Sequence, residues 1–181
     1  MNFFAPKYIL TKGCCFLLLL FFTSNSFAQS LSLDELMSLA DKKPDSITEY
    51  LGPKEWKQYL ADTVWSKDRK TWEEYNVKWG YKEAGDSTAR YWLFYKKKVN
   101  SLNKDKGYME NIQYSIACPI CFKKIESDIW AAQWAKTQDD RSDQKVMQTY
   151  DAGDFSIILV THFKGEKEWY DVLVVRKKPV Q

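Results

Sequence analysis

Cys118-Pro119-Ile120-Cys121 is the stretch of this 181-residue chain whose residue types and spacing prescribe the sharpest chemistry. A Cys-x-x-Cys at a helix N-terminus places one thiol where the macrodipole and free N–H groups favour thiolate, which is how redox dithiols lower their pKa. In an oxidising compartment the same pair closes a structural or surface disulfide, and two free thiols are the third state open to it. A thioredoxin-like enzyme also needs a proline facing the dithiol ahead of a later strand. Beyond residue 28 the prolines other than Pro119 are Pro44, Pro53 and Pro179, and none sits there. Catalytic redox through Cys118 and Cys121 is therefore the alternative to a plain bridge, which across so short a loop contributes only about 2 kcal/mol.

Other chemistries find fewer of the residues they need. His162 is the sole histidine, and alternation puts it on one strand face with Ile158 and Val160, the setting of a half-buried histidine among apolar neighbours. Cys118, Cys121 and His162 supply three potential zinc ligands, but a fourth is not evident and a second cysteine pair is absent. A Ser-His-Asp hydrolase would have to use His162, yet no Gly-x-Ser-x-Gly elbow occurs. An EF-hand loop begun at Asp139 would put Gln144 where glycine is required and Tyr150 where the bidentate glutamate belongs, so Asp139, Asp140 and Asp143 read as solvated acids of a loop. No glycine-rich phosphate cradle is present. The expected cofactor and metal content is none.

Aromatic residues carry the remaining signal. In Tyr91-Trp92-Leu93-Phe94-Tyr95, period-two alternation places Trp92 and Phe94 on one sheet face and Tyr91, Leu93 and Tyr95 on the other. One face can pack under helices while the opposite one stays open, and exposed rings are a common means of binding proteins or glycans because they give large contact area at low entropy cost. Both faces covered is the competing arrangement. The candidate binding residues are Trp92, Phe94, Tyr91 and Tyr95.

The elements that must position these groups begin after residue 28. Residues 1–28 have the parts of a secretory signal: Lys7 and Lys12 without acids, the apolar run Cys14 to Phe22, and small residues in Ser26-Phe27-Ala28, predicting a mature start at Gln29. No apolar run reaches the roughly 20 residues of a membrane-spanning helix. The formal net charge of +3 includes Lys7 and Lys12, so the remainder is close to neutral and offers no basic footprint for nucleic acid. All eight tryptophans, and every tyrosine but Tyr8, lie beyond the signal, an aromatic load that argues for a packed, strand-rich domain.

Ser32-Leu33-Asp34-Glu35 matches a capping box and opens a helix bearing Leu33, Leu36, Met37 and Ala40; Pro44 interrupts, and Ser46-Ile47-Thr48-Glu49 offers a second box before Gly52-Pro53. The pattern then turns to period two: Trp56, Gln58 and Leu60 on one face of a short strand, Tyr75, Val77, Trp79 and Tyr81 on a second, Ala89 to Lys96 a third and Met109 to Ala117 a fourth. The Lys96-Lys97-Lys98 run and the polar residues to Gly107 read as an exposed hairpin loop. The same order recurs with a helix from Cys118 to about Trp134, then strands at Val146 to Tyr150, Phe155 to Phe163 and Trp169 to Arg176. Glu83-Ala84-Gly85-Asp86 and Asp151-Ala152-Gly153-Asp154 are near-identical turns before the most apolar strand of each half, where glycine supplies positive φ and aspartate bonds the local backbone.

A helix followed by antiparallel strands, given twice, is similar to the tandem architecture of the β-lactamase-inhibitor-protein-like fold. The segment from Tyr50 to Trp56 with Trp79-Gly80-Tyr81-Lys82 also resembles a group of small exported bacterial proteins to which no activity attaches. The resemblance implies a layered α+β module with helices on one sheet face; it transfers no inhibitor contact residues, and fold alone does not give function. The expected organisation is a signal peptide at 1–28, a first α+β unit at 29–117 and a second at 118–181, about four strands each, sharing one compact domain. The expected function is a non-enzymatic binding module of the periplasm or exterior, acting through an aromatic sheet surface on a protein or glycan and not on nucleic acid. A thiol-disulfide protein using Cys118 and Cys121 and a structural envelope component are the alternatives.

Overall fold

The computed structural model describes residues 30–65, 72–82, 85–99 and 108–177. The expected signal peptide lies outside them, as do Glu83 and Ala84 of the first expected turn and residues 100–107 of the expected polar loop. Among the described residues are three α-helices and one antiparallel sheet of eight strands, a mixed but mostly sheet α+β architecture.

Helix α1, Leu33–Ala40, starts where its capping box demands: the Glu35 N–H donates to Ser32 Oγ at 3.3 Å, and the Ser32 N–H returns a bond to Glu35 Oε2 at 2.7 Å. Its buried stripe is Leu33, Leu36, Leu39 and Ala40, with Met37 at the margin. Helix α2, Pro44–Leu51, corrects the expectation at two points. Pro44 does not interrupt but initiates, as the first helical residue after Lys43, where its missing N–H costs nothing and its fixed φ suits the helix. Ser46, expected to cap, is therefore inside the helix. A 3-10 turn at Gly52–Lys54 ends it, and Glu55, in the left-handed region at φ 64, turns the chain so that Trp56 enters the core.

The strands are β1 Lys57–Trp65, β2 Trp72–Tyr81, β3 Tyr91–Val99, β4 Tyr108–Ile116, then, after helix α3 Pro119–Ala131, β5 Ala135–Arg141, β6 Lys145–Ala152, β7 Phe155–Lys164 and β8 Lys167–Arg176. Their order across the sheet is β1-β2-β3-β4-β8-β7-β6-β5. Three strand expectations change. The face proposed for Trp56, Gln58 and Leu60 is broken, because Trp56 precedes β1 and a bulge between Gln58 and Leu60 shifts the register. Lys96, Lys97 and Lys98 continue β3 opposite Asn111, Glu110 and Met109 and are not a hairpin loop; Lys97 Nζ meets Glu110 Oε1 at 2.6 Å. Asp139 and Asp140 belong to β5, an edge strand exposed along its whole length, whose charges discourage pairing with another sheet.

Alternation then sorts the residues. Val77, Trp79 and Tyr81 of β2, Tyr91, Leu93 and Tyr95 of β3, Ile112, Tyr114 and Ile116 of β4, Ile157 and Leu159 of β7, and Val172 and Val174 of β8 are buried in one cluster with Leu36, Leu39, Ile47, Leu51, Phe122, Ile125 and Ile129 of the helices. Two polar atoms in this core are matched: Trp79 Nε1 donates to Thr48 Oγ1 at 3.0 Å, and the Leu31 N–H donates to the Tyr114 hydroxyl at 3.2 Å. The indole N–H of Trp56, buried in the same cluster, has no hydrogen-bond partner among the described residues. Glu35 gathers the ends of both N-terminal helices, accepting from Ser32, Tyr50 and Lys54.

Candidate functional site

The other side of the sheet is built around Trp92. In the antiparallel register Gly80 lies opposite Trp92 and Lys78 opposite Phe94, so on this face β2 presents a bare backbone next to the indole and an ammonium next to the phenyl ring. The indole lies against Gly80 so closely that a Cβ there would sit 2.8 Å from the ring and 3.0 Å from Tyr59, which is why glycine is required. Tyr59 of β1 meets Trp92 edge-on with centroids 5.1 Å apart. Lys78 Nζ stands 3.7 Å from the Trp92 ring centroid and 5.2 Å from that of Phe94, a cation–π pair at the edge of solvent. Trp92 and Phe94 remain half-buried and Tyr59 is half-exposed.

One strand further on, the face becomes polar. Ser115 is opposite both Trp92 and Asp171. Asp171 is 8 % exposed, the sole buried charged residue among those described, and it accepts from Ser115 Oγ through Oδ1 and from His162 Nε2 through Oδ2, the latter at 2.9 Å. The His162 ring stacks on Trp169, centroids 4.9 Å apart and planes 4° from parallel. Both donors engage the carboxylate and not each other, so His162 is not placed as the base for the serine hydroxyl. The cluster has the residue types of a hydrolytic triad without its relay, and it acts to satisfy a buried charge.

The sequence-derived site residues divide accordingly. Trp92 and Phe94 share the outer face. Tyr91 and Tyr95, offered with them as binding residues, are each 4 % exposed on the core side. Burial and the adjacent Glu110 carboxylate raise the Tyr95 phenol well above its ordinary pKa. The alternation was right, but β3 places these two tyrosines among the core rings, Tyr91 stacked with Tyr114 and Tyr95 edge-on to Tyr75, so only Trp92 and Phe94 reach solvent.

Cys118 and Cys121 form a disulfide, with Cα atoms 5.3 Å apart. Cys118 is the N-cap of α3, its Sγ accepting the Cys121 N–H at 3.2 Å, while Cys121 is buried with its sulfur 3.7 Å from the Tyr91 hydroxyl. Asp139 is held by its own strand neighbours, Lys136 Nζ at 3.1 Å and Arg141 Nε at 3.0 Å. No group of three or more His, Cys, Asp and Glu among the described residues could hold a metal ion. Tyr59, Lys78, Gly80, Ser115 and Asp171 escaped sequence reasoning. Asp171 left one sign, a carboxylate within the apolar run Tyr170 to Val175; the others are defined by cross-strand register, invisible in any single segment.

Comparison of the chain with protein-family models, with characterised proteins and with solved structures finds no significant match. No described helix is long and apolar enough to cross a membrane.

Proposed function

We propose that this is an exported, non-enzymatic interaction module that binds a protein or glycan through the outer face of its sheet. The observation that carries the reading is the cluster of Trp92, Phe94, Tyr59 and Lys78: rings and a cation held in fixed mutual geometry on the face that the core leaves free. Rigid, half-exposed aromatics lose little entropy on contact, and they contribute most where a few residues dominate binding. Trp169, stacked on His162 and 39 % exposed, extends the aromatic surface along β8.

A tandem origin fits the same layout. The order β1-β2-β3-β4-β8-β7-β6-β5 reads as two four-strand meanders meeting at β4 and β8, helical residues precede each, and Gly85 and Gly153 both adopt left-handed φ, at 92° and 70°, ahead of β3 and β7. On this reading residues 29–117 and 118–181 are two copies of one helix-plus-sheet unit with helices on a single sheet face, as in β-lactamase-inhibitor-protein-like modules. Export through residues 1–28 places the protein in the periplasm or outside the cell. There the Cys118–Cys121 bridge serves as a local staple at the start of α3, and the thiol-disulfide alternative is the less favoured because the sequence lacks the proline that a thioredoxin-like enzyme sets facing its dithiol.

The test is site-specific photo-crosslinking in the native envelope or secreted fraction, with a benzophenone amino acid at Phe94 and, as control, at Thr137 on exposed β5. The expected result is one dominant adduct from position 94, diminished by Trp92→Ala, and none from 137. Equal labelling from both positions would count against a binding face. N-terminal sequencing of the exported product should start at Gln29.

A further inference from the structure

A cleft lies on the core side of the sheet, between the C-terminal end of α3 and β6. Glu126, Ile129 and Trp130 of the helix, Gln133 and Trp134 of the connection to β5, and Tyr150 of β6 line a half-open cleft of about 260 Å³. Its construction is specific. Gln133 is one of two non-glycine residues described in the left-handed region, at φ 54, a conformation uncommon for a residue with a Cβ. Its N–H bonds the Trp130 carbonyl at 3.1 Å, closing the helix end and turning Trp134 back toward the core. Trp130 is 85 % exposed, far more than packing of α3 requires. Tyr150 is fixed from its rim, its hydroxyl donating to Gln148 Oε1 at 3.2 Å.

The charges around the cleft decide which ligand it suits. An anion would meet the Glu126 carboxylate, which burial already holds above its ordinary pKa, with Lys123 pulling the other way. A cation, otherwise attracted by Glu126, two indoles and a phenol, would face two ammonium groups, Lys123 beside Glu126 and Lys136, whose Nζ lies 5.9 Å from the Tyr150 ring centroid and 3.1 Å from Asp139. Each ammonium stands beside a carboxylate, so the rim has no surplus charge to favour an ion of either sign. A wholly apolar ligand would cover Glu126 and Gln133 without giving them partners, which is costly. What remains is a neutral molecule with an apolar face for the rings and a rim of hydroxyls for a carboxylate and a carboxamide. The volume is just below the roughly 300–1,000 Å³ of drug-sized pockets, so it takes one or two small rings at a time.

We infer that this cleft is a saccharide subsite, in which a sugar ring stacks on Trp130 and Trp134 and its hydroxyls bond Glu126 and Gln133. It is separate from the Trp92 face, and the experiment tells the two apart. The full chain is labelled with 5-fluorotryptophan and the indole resonances are followed by fluorine NMR during titration with maltotriose, cellotriose, laminaritriose and N-acetylchitotriose, with tetramethylammonium chloride as the cationic control. At least one trisaccharide should shift the Trp130 and Trp134 signals saturably, with Kd of about 1 mM or below, and Trp130→Ala should weaken that binding by about tenfold or more. Trp130 is exposed enough for this variant to fold. No saturable shift from any of the four sugars overturns the proposal, as does a response to tetramethylammonium in their place. A sugar that moves only the Trp92 signal also overturns it, while supporting the sheet-face reading.

Discussion

Glu35 is the residue whose titration the fold should report. Its carboxylate accepts from the Ser32 N–H at 2.7 Å, from Ser32 Oγ at 3.0 Å, from the Tyr50 hydroxyl at 2.5 Å and from Lys54 Nζ. Burial by itself would raise its pKa, but these donors outweigh burial and hold it at about 2 in place of the ordinary 4.5. A difference of that size corresponds to at most about 3 kcal/mol between protonation states. The side chain is 25 % exposed, so solvent screening leaves about 1–2 kcal/mol. The sign follows from linkage: the unfolded chain takes up the proton more readily than the native one, so the contribution is fully present above about pH 4.5 and is lost as pH falls through about 2. Glu35→Gln keeps a side-chain oxygen for the capping box and removes the charge. Urea unfolding should show the variant about 1–2 kcal/mol less stable than the parent near neutrality, with unchanged m, and the gap should narrow steadily as both are taken toward pH 2. An unchanged midpoint near neutrality, or a gap as wide at low pH as at neutrality, would refute the electrostatic account.

Thr48→Val leaves Trp79, fully buried, without the acceptor at 3.0 Å for its indole N–H and should lower unfolding free energy by about 1–3 kcal/mol, read from chemical denaturation. Gly80→Val places carbon where the Trp92 ring lies, 2.8 Å from a Cβ, and should cost about 1–3 kcal/mol while displacing the indole from Lys78, visible as a shift of the Trp92 fluorine signal. Replacing both Cys118 and Cys121 with serine should cost about 2 kcal/mol or less, and the parent protein should show no insulin-reductase turnover; turnover abolished by Cys118→Ser would revive the thiol-disulfide alternative.

Legibility followed the range of the interactions involved. The start of α1 was readable because the bonds that make it lie within Ser32 to Glu35. Pro44 was misread because proline both stops helices and begins them, and only the position of Lys43 outside the helix decides between the two. Strands with one face in the core announced themselves by alternation, as β2 does in Val77, Trp79 and Tyr81; β5 did not, because neither of its faces is buried and no apolar period marks it. In β3 the two faces were correctly separated, yet both are aromatic and the strand alone could not say which is core. Its neighbours settle the matter: Tyr91, Leu93 and Tyr95 align with Tyr81, Trp79 and Val77, whereas Trp92 and Phe94 align with Gly80, Lys78, Ser115 and Gln113.

The seam between β4 and β8 has a consequence for how the chain comes to be folded. Every other strand pairing joins sequence neighbours and can zip as a hairpin soon after its residues meet; this one joins segments about as far apart as Ser115 and Asp171, separated by 56 residues. Its closure entropy must be met before its contacts reward it. The seam carries Tyr114 against Val172 and Ile112 against Val174 on the core side, and the Asp171 bond to Ser115 on the other. Collapse of the two meanders can thus precede their union. Until they unite, β4 and β8 are open edges, and the kinetic hazard for this molecule is that two chains in that state exchange halves before either completes itself.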